Sequence, residues 1–327
     1  MVSLQPNFLF PGEDVLMPRL SRPVQLLAAA LTWFLLGQAY AGQDAETPVP
    51  TDWSAQVGIG VEYDSNVSVE EVDVTSNQGD YAMTLDAGFA VKQDLSKSAT
   101  AALTYDYSQS IYDKFSQVDR QTHMLGADLG LDFARVDPSI SVYYITSRLD
   151  GSQFLDLYRV SPSLSGFLAQ KWFARAGYVY SDKTIHDRAG RDATTNAGEA
   201  DVYFFMQGLR RYFNLGYRFR DEDAKADQYD YISNSVKLRF IQRIQVFSRL
   251  TKLELAWRYE DRDYGSDTPS IGEKRHDQRS RLRLDYEVPV FASGVLQFFA
   301  GYADYESNYP PAAYDQTLVG TRFMYSW

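Results

Sequence analysis

The chain closes on Gln316-Thr-Leu-Val-Gly-Thr-Arg-Phe-Met-Tyr-Ser-Trp327, which in an extended strand puts Val319, Thr321, Phe323, Tyr325 and Trp327 on one face and Gly320, Arg322 and Ser326 on the other. Period-two alternation with a rim of aromatic side chains suits a strand that meets lipid on one side and water on the other. A single strand of this kind cannot stand alone in a bilayer, because its unpaired N–H and C=O groups would have no partner there. It demands neighbours of the same character.

They are present upstream. Trp53, Ala55, Val57, Ile59, Val61 and Tyr63 form one apolar face, with Ser54, Gln56, Gly58, Gly60 and Glu62 between them. The pattern returns at Tyr81 to Val91, Ala99 to Tyr107, Leu125 to Phe133, Ile140 to Thr146, Tyr158 to Leu168, Trp172 to Tyr180 and Ala200 to Gly208. It continues at Phe213 to Phe219, Ile232 to Phe240, Leu253 to Tyr259, Ser280 to Val290, Val295 to Tyr305 and Thr317 to Trp327. Short turns alternate with longer polar stretches such as Asp64 to Gly79 and Glu260 to Asp277. The expectation is an all-β, closed antiparallel transmembrane barrel of about fourteen strands, with short periplasmic turns, long outer loops and both ends in the periplasm. A secreted β-sandwich or propeller would need a second buried sheet's worth of Leu, Ile and Val, and the alternating faces do not supply it.

Composition agrees. Tyr 24 and Phe 19 bring the aromatic share to 15%, while a mean hydropathy of -0.36 leaves no room for helical spans. No cysteine is present, which excludes a disulfide framework, a thiol nucleophile and a lipid-anchored N-terminal cysteine. The formal charge of -11 argues against nucleic acid, which calls for a basic footprint.

The N-terminus supplies an address. Arg19 and Arg22 precede an apolar run from Val24 to Leu36, and Ala39-Tyr40-Ala41 has the small-x-small form of a signal-peptidase site. Residues 1–41 are therefore read as a signal peptide, with Met17 as a second candidate start, since Glu13 and Asp14 ill suit a signal's basic opening. Residues 42–52 become a periplasmic lead and 53–327 the outer-membrane barrel. The destination is the bacterial outer membrane, with outer-membrane lipid and lipopolysaccharide as the surroundings.

With the apolar faces toward lipid, the intervening residues line the lumen. Early strands contribute Glu62, Asp86, Asp106, Asp128 and Asp132. Later strands contribute Arg218, Lys237, Arg239, Lys252, Arg258, Arg279, Arg281 and Arg283. Across a ring of about fourteen strands an acidic wall would then face a basic one, and a water-filled constriction between them would carry a transverse field that sorts solutes by charge. The other outcome is that these charges pair and fill the interior. Like charges on neighbouring strands oppose each other, which favours a path for a polar or anionic solute.

Catalysis has little to stand on. His186 and His276 fall in loops and His123 opens a strand on its lipid side, without the spacing of a triad. The reading is therefore not an enzyme. Acidic runs occur at Glu70, Glu71 and Asp73, at Asp221 to Asp223 and at Asp261, Asp263 and Asp267; Asp221 to Asp230 lacks the glycine and closing glutamate of a calcium loop, and these loops are expected to be solvated. No metal site and no cofactor are assigned.

Two resemblances extend this reading. The closing Phe323, Tyr325 and Trp327 resemble the C-terminal signature of bacterial outer-membrane barrels, which implies recognition by the barrel-assembly machinery through the last strand. Tyr63-Asp-Ser-Asn-Val67, with Tyr105-Asp-Tyr-Ser-Gln-Ser-Ile-Tyr112 and Leu255-Ala-Trp-Arg-Tyr-Glu-Asp-Arg-Asp-Tyr264, resembles the barrel domain of surface lipoprotein assembly modifier (Slam) proteins and of putative β-barrel porins. Those modifiers carry a periplasmic helical-repeat domain before the barrel, and no such repeat occurs in this sequence. Asp64, Ser65 and Asn66 are also good turn formers that would end the first strand whatever the function. The implied functions are a channel or export conduit, a translocation barrel for surface proteins working with a separate periplasmic partner, or a plugged adhesive barrel acting through its outer loops.

Overall fold

The computed structural model describes residues 51–327; the signal peptide, the Met17 start and most of the lead lie outside the described residues. Fourteen of the sixteen strands close an antiparallel barrel. They are β1 (Thr51–Asp64), β4 (Asp80–Ser96), β5 (Ala99–Tyr112), β6 (Arg120–Leu131), β7 (Asp137–Leu149), β8 (Ser152–Ala169), β9 (Trp172–Ile185), β10 (Ala193–Phe205), β11 (Arg211–Ala224), β12 (Tyr231–Val246), β13 (Arg249–Thr268), β14 (Glu273–Phe291), β15 (Gly294–Ser307) and β16 (Tyr314–Ser326). Two short strands, β2 (Ser68–Val69) and β3 (Val74–Thr75), form a separate hairpin inside the first outer loop.

The seam is closed by the chain's two ends. β1 pairs with β16 from Gln56↔Ser326 to Asp64↔Leu318, and the Trp327 amide donates to the Ala55 carbonyl at 2.9 Å. The two strands that would otherwise be edges are thereby paired from Gln56 to Asp64, which is the condition for a sheet in hydrocarbon. Phe89 and Trp257 lie on the outer surface, not in a core between stacked sheets. On β1 the outward Val57, Ile59 and Val61 are exposed while Gly58 and Gly60 are buried on the lumen side.

The strands run further than their hydropathy shows. β14 begins at Glu273 and β13 continues to Thr268, so the stretch Glu260 to Asp277, expected as a loop, reduces to a turn at residues 269–272. Between β7 and β8 the connection is only Asp150 and Gly151, both with positive φ. Above the membrane both strand faces meet water, so alternation fades there although the ladder hydrogen bonds persist. At the opposite end β6 stops at Leu131, short of the expected Phe133. Among the described residues the one long connection that stays out of the ladder is residues 65–79, and it turns inward.

Candidate functional site: a plugged, charge-lined lumen

The Tyr63–Val67 element directs that inward turn. Tyr63 packs its ring, tilted, against Tyr81 at 5.0 Å, and buried Asp64 accepts from the Asn66 amide at 2.9 Å and from Gln316 Nε2 at 2.8 Å. Ser65 and Thr317 exchange bonds across the seam, amide to carbonyl at 2.9 Å and amide to Oγ at 2.7 Å. Asn66 donates to the Asp315 carbonyl and accepts from the Asn77 amide. The chain is thus fixed to β16 while it leaves β1, and Val67 enters the interior fully buried.

From there the loop reaches far around the ring. Val69 and Val72 pack with Leu149, Phe154, Leu155 and Ile185 in an apolar cluster, whose members come from β7, β8 and β9. Asp73, in the left-handed region, accepts two parallel bonds from Arg275 on β14 at 2.8 and 2.9 Å. It also takes one at 2.6 Å from Arg191, in the β9–β10 connection. Arg191 Nη1 donates in addition to the Glu71 carbonyl. Glu70 is held by Arg281, by Arg279 at 3.8 Å and by the Tyr305 hydroxyl. One loop therefore ties β1 and β4 to β7–β9 and to β14 and β15, across the outer mouth of the lumen.

These contacts reset the carboxylates. Burial alone would raise the Glu70 carboxyl, but Arg281 and Arg279 outweigh it and hold the group at about 2. Asp73 behaves alike, its desolvation overcome by Arg275 and Arg191, and it lies far below the usual carboxylate range. Glu71 goes the other way: burial first, and the adjacent Glu70 charge second, push it up to about 7, and its Oε2 has no hydrogen-bond partner. The expectation that Glu70, Glu71 and Asp73 are a solvated acidic run is overturned. The sequence signal was the spacing of Val67, Val69 and Val72 within the acids, since a loop that stays in water has no use for three buried valines.

Strand order puts β4, β5 and β6 seventh from β11, β12 and β13 around the ring. Glu62, Asp86, Asp106 and Asp128 share the inward parity of their strands. Asp132 does not: it lies beyond β6, exposed in the turn, where its amide caps the Ser98 carbonyl at 2.9 Å. Asp86 pairs with Arg322 at 2.9 Å, reaching over Gly58 of β1, where an added Cβ would sit 3.4 Å from the arginine stem. Asp128 accepts from Ser141 and Tyr143.

Each of the eight basic positions has a carboxylate within 4 Å. Arg218 has Glu199 at 3.3 Å, Lys237 has Asp201 at 2.8 Å, Arg239 has Glu254 at 2.7 Å and Lys252 has Glu287 at 2.8 Å. Arg258 has Glu260 at 3.5 Å, Arg279 has Asp277 at 3.1 Å, Arg281 has Glu70 and Arg283 has Asp285 at 2.9 Å. Pairing is local along the wall, or runs to the plug loop. One row stands out within it: Lys237, Arg258 and Arg281 are direct cross-strand neighbours, with side chains 37%, 39% and 38% exposed to the lumen. Adjacent like charges repel, so this row holds a positive potential that its partners only partly offset.

The histidines sit elsewhere. His123 touches Tyr105 on the outer face, His186 meets Asp156 at 2.9 Å, and His276 meets Asp261 and Asp263. Phe323 and Tyr325 pack against Phe291 at 5.9 and 6.0 Å, and Tyr325 meets Trp327 edge-on at 4.7 Å. They form an aromatic rim at the periplasmic end.

The family model for surface lipoprotein assembly modifiers matches residues 52–285, from the first strand through the row of cations and the plug. The chain belongs to the surface lipoprotein assembly modifier family. Among solved structures, this family member is similar to the anion-selective porin from Comamonas acidovorans, with TM-score 0.50 and 9% identity over 85% of this chain and 99% of that one. It is similar also to the outer-membrane expressed OmpT of Vibrio cholerae, with TM-score 0.51 and 10% identity over 87% and 99% of the two chains. At such identity the likeness is one of fold. No curated protein matches in sequence. Closed strand pairing, lipid-facing aromatics and family membership make this an integral protein of the bacterial outer membrane.

Proposed function

We propose that the barrel is a non-enzymatic conduit for polypeptides bound for the cell surface, held shut at rest by residues 65–79 and opened with the help of a separate periplasmic partner. The observation that carries this reading is the grip of Arg275 and Arg191 on Asp73. A loop secured by side-chain bonds, with its backbone outside the ladder, can leave the lumen without unfolding the wall. The family's printed description, surface lipoprotein assembly modifier, supports a surface-bound lipoprotein as the cargo. Phe323, Tyr325 and Trp327 serve in this reading as the signal for the barrel-assembly machinery.

The test removes residues 67–76 and joins the ends with a short glycine linker. In planar bilayers the intact protein should pass little current and the deleted form should hold a large steady conductance. In cells, deleting the gene should leave lipoproteins that normally reach the surface protected from added protease. Equal conductance with and without the loop, together with unchanged lipoprotein exposure, would reject the reading.

A second reading, a pore for small anions, is favoured by the row Lys237, Arg258 and Arg281. Recording from the intact protein separates the two: a pore for small anions should carry chloride with residues 65–79 in place, whereas the conduit should carry it only once the loop is removed.

A further inference from the structure

A polar lumen is the rule for these barrels, yet five aromatic rings face the interior at the periplasmic end of β8 to β11. Phe167 meets Phe173 edge-on at 5.2 Å, Phe173 meets Tyr203 at 5.9 Å, and Phe205 meets Tyr212 at 5.5 Å. They follow the inward parity of Ser163, Asp201 and Asn214 on the same strands. Leu209, from the β10–β11 turn, completes with four of them an open depression of about 150 Å³, lined by Phe173, Tyr203, Phe205, Leu209 and Tyr212.

The rim carries charge. Arg175 follows Phe173 by two residues on the same face and donates to Ser163 Oγ at 3.2 Å. Among the described residues it has no carboxylate within 4 Å: Asp201, directly across from it on β10, is taken by Lys237 at 2.8 Å. One lumenal row above Tyr203 lie Asp201, Gly216 and then Lys237, where the exposed cations begin. The chain's own lead, Gln43 to Pro50, contains no aromatic residue and so has no ring to offer this site.

We propose that this pocket, with Arg175 at its rim, takes an aromatic side chain flanked by a carboxylate from a polypeptide entering the barrel from the periplasm. The inference deepens the conduit reading and rests on it for the direction of entry. A glycan is disfavoured, because a sugar ring needs several hydrogen-bond partners and this lining offers only two hydroxyls. A ring in the pocket would be an anchor, with the flanking acid drawn toward Arg175 and then to the row of Lys237.

The experiment uses the full-length protein refolded in detergent and an acetylated pentapeptide amide, Gly-Glu-Phe-Glu-Gly, with fluorine on its ring. Fluorine NMR line broadening and calorimetry should report saturable binding. Replacing the peptide's Phe with Ala should abolish it, and Phe205→Ser or Tyr203→Ser should weaken it by roughly tenfold. Arg175→Gln should weaken the glutamate peptide and leave a glutamine version unchanged. Should a variant fail to refold, a photo-reactive benzoyl-phenylalanine peptide on the unaltered protein should cross-link to β9, β10 or β11. Cross-links confined to other strands, equal binding by variants and unaltered protein, or preferential displacement of the peptide by a maltooligosaccharide would overturn the proposal. The conductance gained on removing residues 67–76 reads the conduit separately, so either result can fail without the other.

Discussion

Arg275 grips Asp73 through two parallel hydrogen bonds of 2.8 and 2.9 Å, joining residues 202 positions apart, and turns its Nε toward Asp277 at 2.7 Å. Tyr264 and Tyr309 flank the guanidinium at 4.6 and 4.9 Å. Wall, plug and outer rim meet at this one side chain. Fork-to-fork pairing between arginine and carboxylate adds orientation to charge, which is why a short loop can keep one position in a wide ring.

Asp73→Asn should loosen the plug while sparing the barrel. The amide keeps the shape but leaves Arg275 with Asp277 alone and Arg191 without its carboxylate, and removing one partner of a buried pair costs up to about 3–5 kcal/mol. Single-channel recording should show the open time rising sharply, while the folded band on an unboiled gel should stay as it was. A closed trace like that of the unaltered protein would mean the valine cluster alone holds the loop.

The plug should also respond to pH in two directions. Glu71 sits at about 7 when docked against an ordinary 4.5, so docking favours its protonated form. That contribution is complete below about 4.5 and is lost as pH rises through 7. Around it lie Glu70, Arg120 of β6 and Lys183 of β9, and Arg191 bonded to its carbonyl. Glu70, at about 2, and Asp73, lowered further, work in the opposite sense: their contribution is present above the ordinary carboxylate range and fades as pH falls toward 2. Closure should therefore be tightest in mildly acidic medium, with conductance growing between pH 5 and pH 8. Glu71→Gln should flatten that rise and leave the acid limb in place; a rise that persists in Glu71→Gln would assign it to another group.

Period two exposed the wall to sequence reading because lipid on one side and water on the other impose it residue by residue. Fourteen strands and their order follow from that alone. Strand ends above the membrane escaped, as β13 and β14 show, since water on both faces removes the pattern. The plug escaped for a different reason. Its acids were read singly, as solvated, whereas their meaning lies in partners such as Arg275 and Arg281 that only closure of the ring brings near. The basic residues misled similarly: Arg279, Arg281 and Arg283 look like an unpaired wall along one strand, yet Asp277, Glu70 and Asp285 answer them from positions two residues away or from the loop.

Gly60→Ala should weaken the seam. A Cβ there would lie 2.6 Å from Thr84 Oγ1 and 2.7 Å from the Thr321 carbonyl, and overpacking of this kind costs about 1–3 kcal/mol. Gly58→Ala, whose Cβ would meet nothing closer than 3.4 Å, should be tolerated. Heat-modifiability on gels ranks the two: the folded band of Gly60→Ala should be lost at a lower temperature, and equal loss temperatures would reject a packing role for Gly60.

Charge reversal is cleanest at Arg258. Arg279 and Arg281 hold the plug through Glu70, so altering them would change gating and selectivity together. Arg258 does not touch the loop; its carboxylate partner is Glu260 at 3.5 Å, and it lies between Lys237 and Arg281 in the row. In protein lacking residues 67–76, the remaining cations should give a preference for chloride over potassium, because a narrow water path with low-dielectric walls amplifies fixed charge. Arg258→Glu should move the reversal potential toward cation preference, and more so at low salt, where screening is weakest. An unmoved reversal potential at low salt would show that ions pass away from this row.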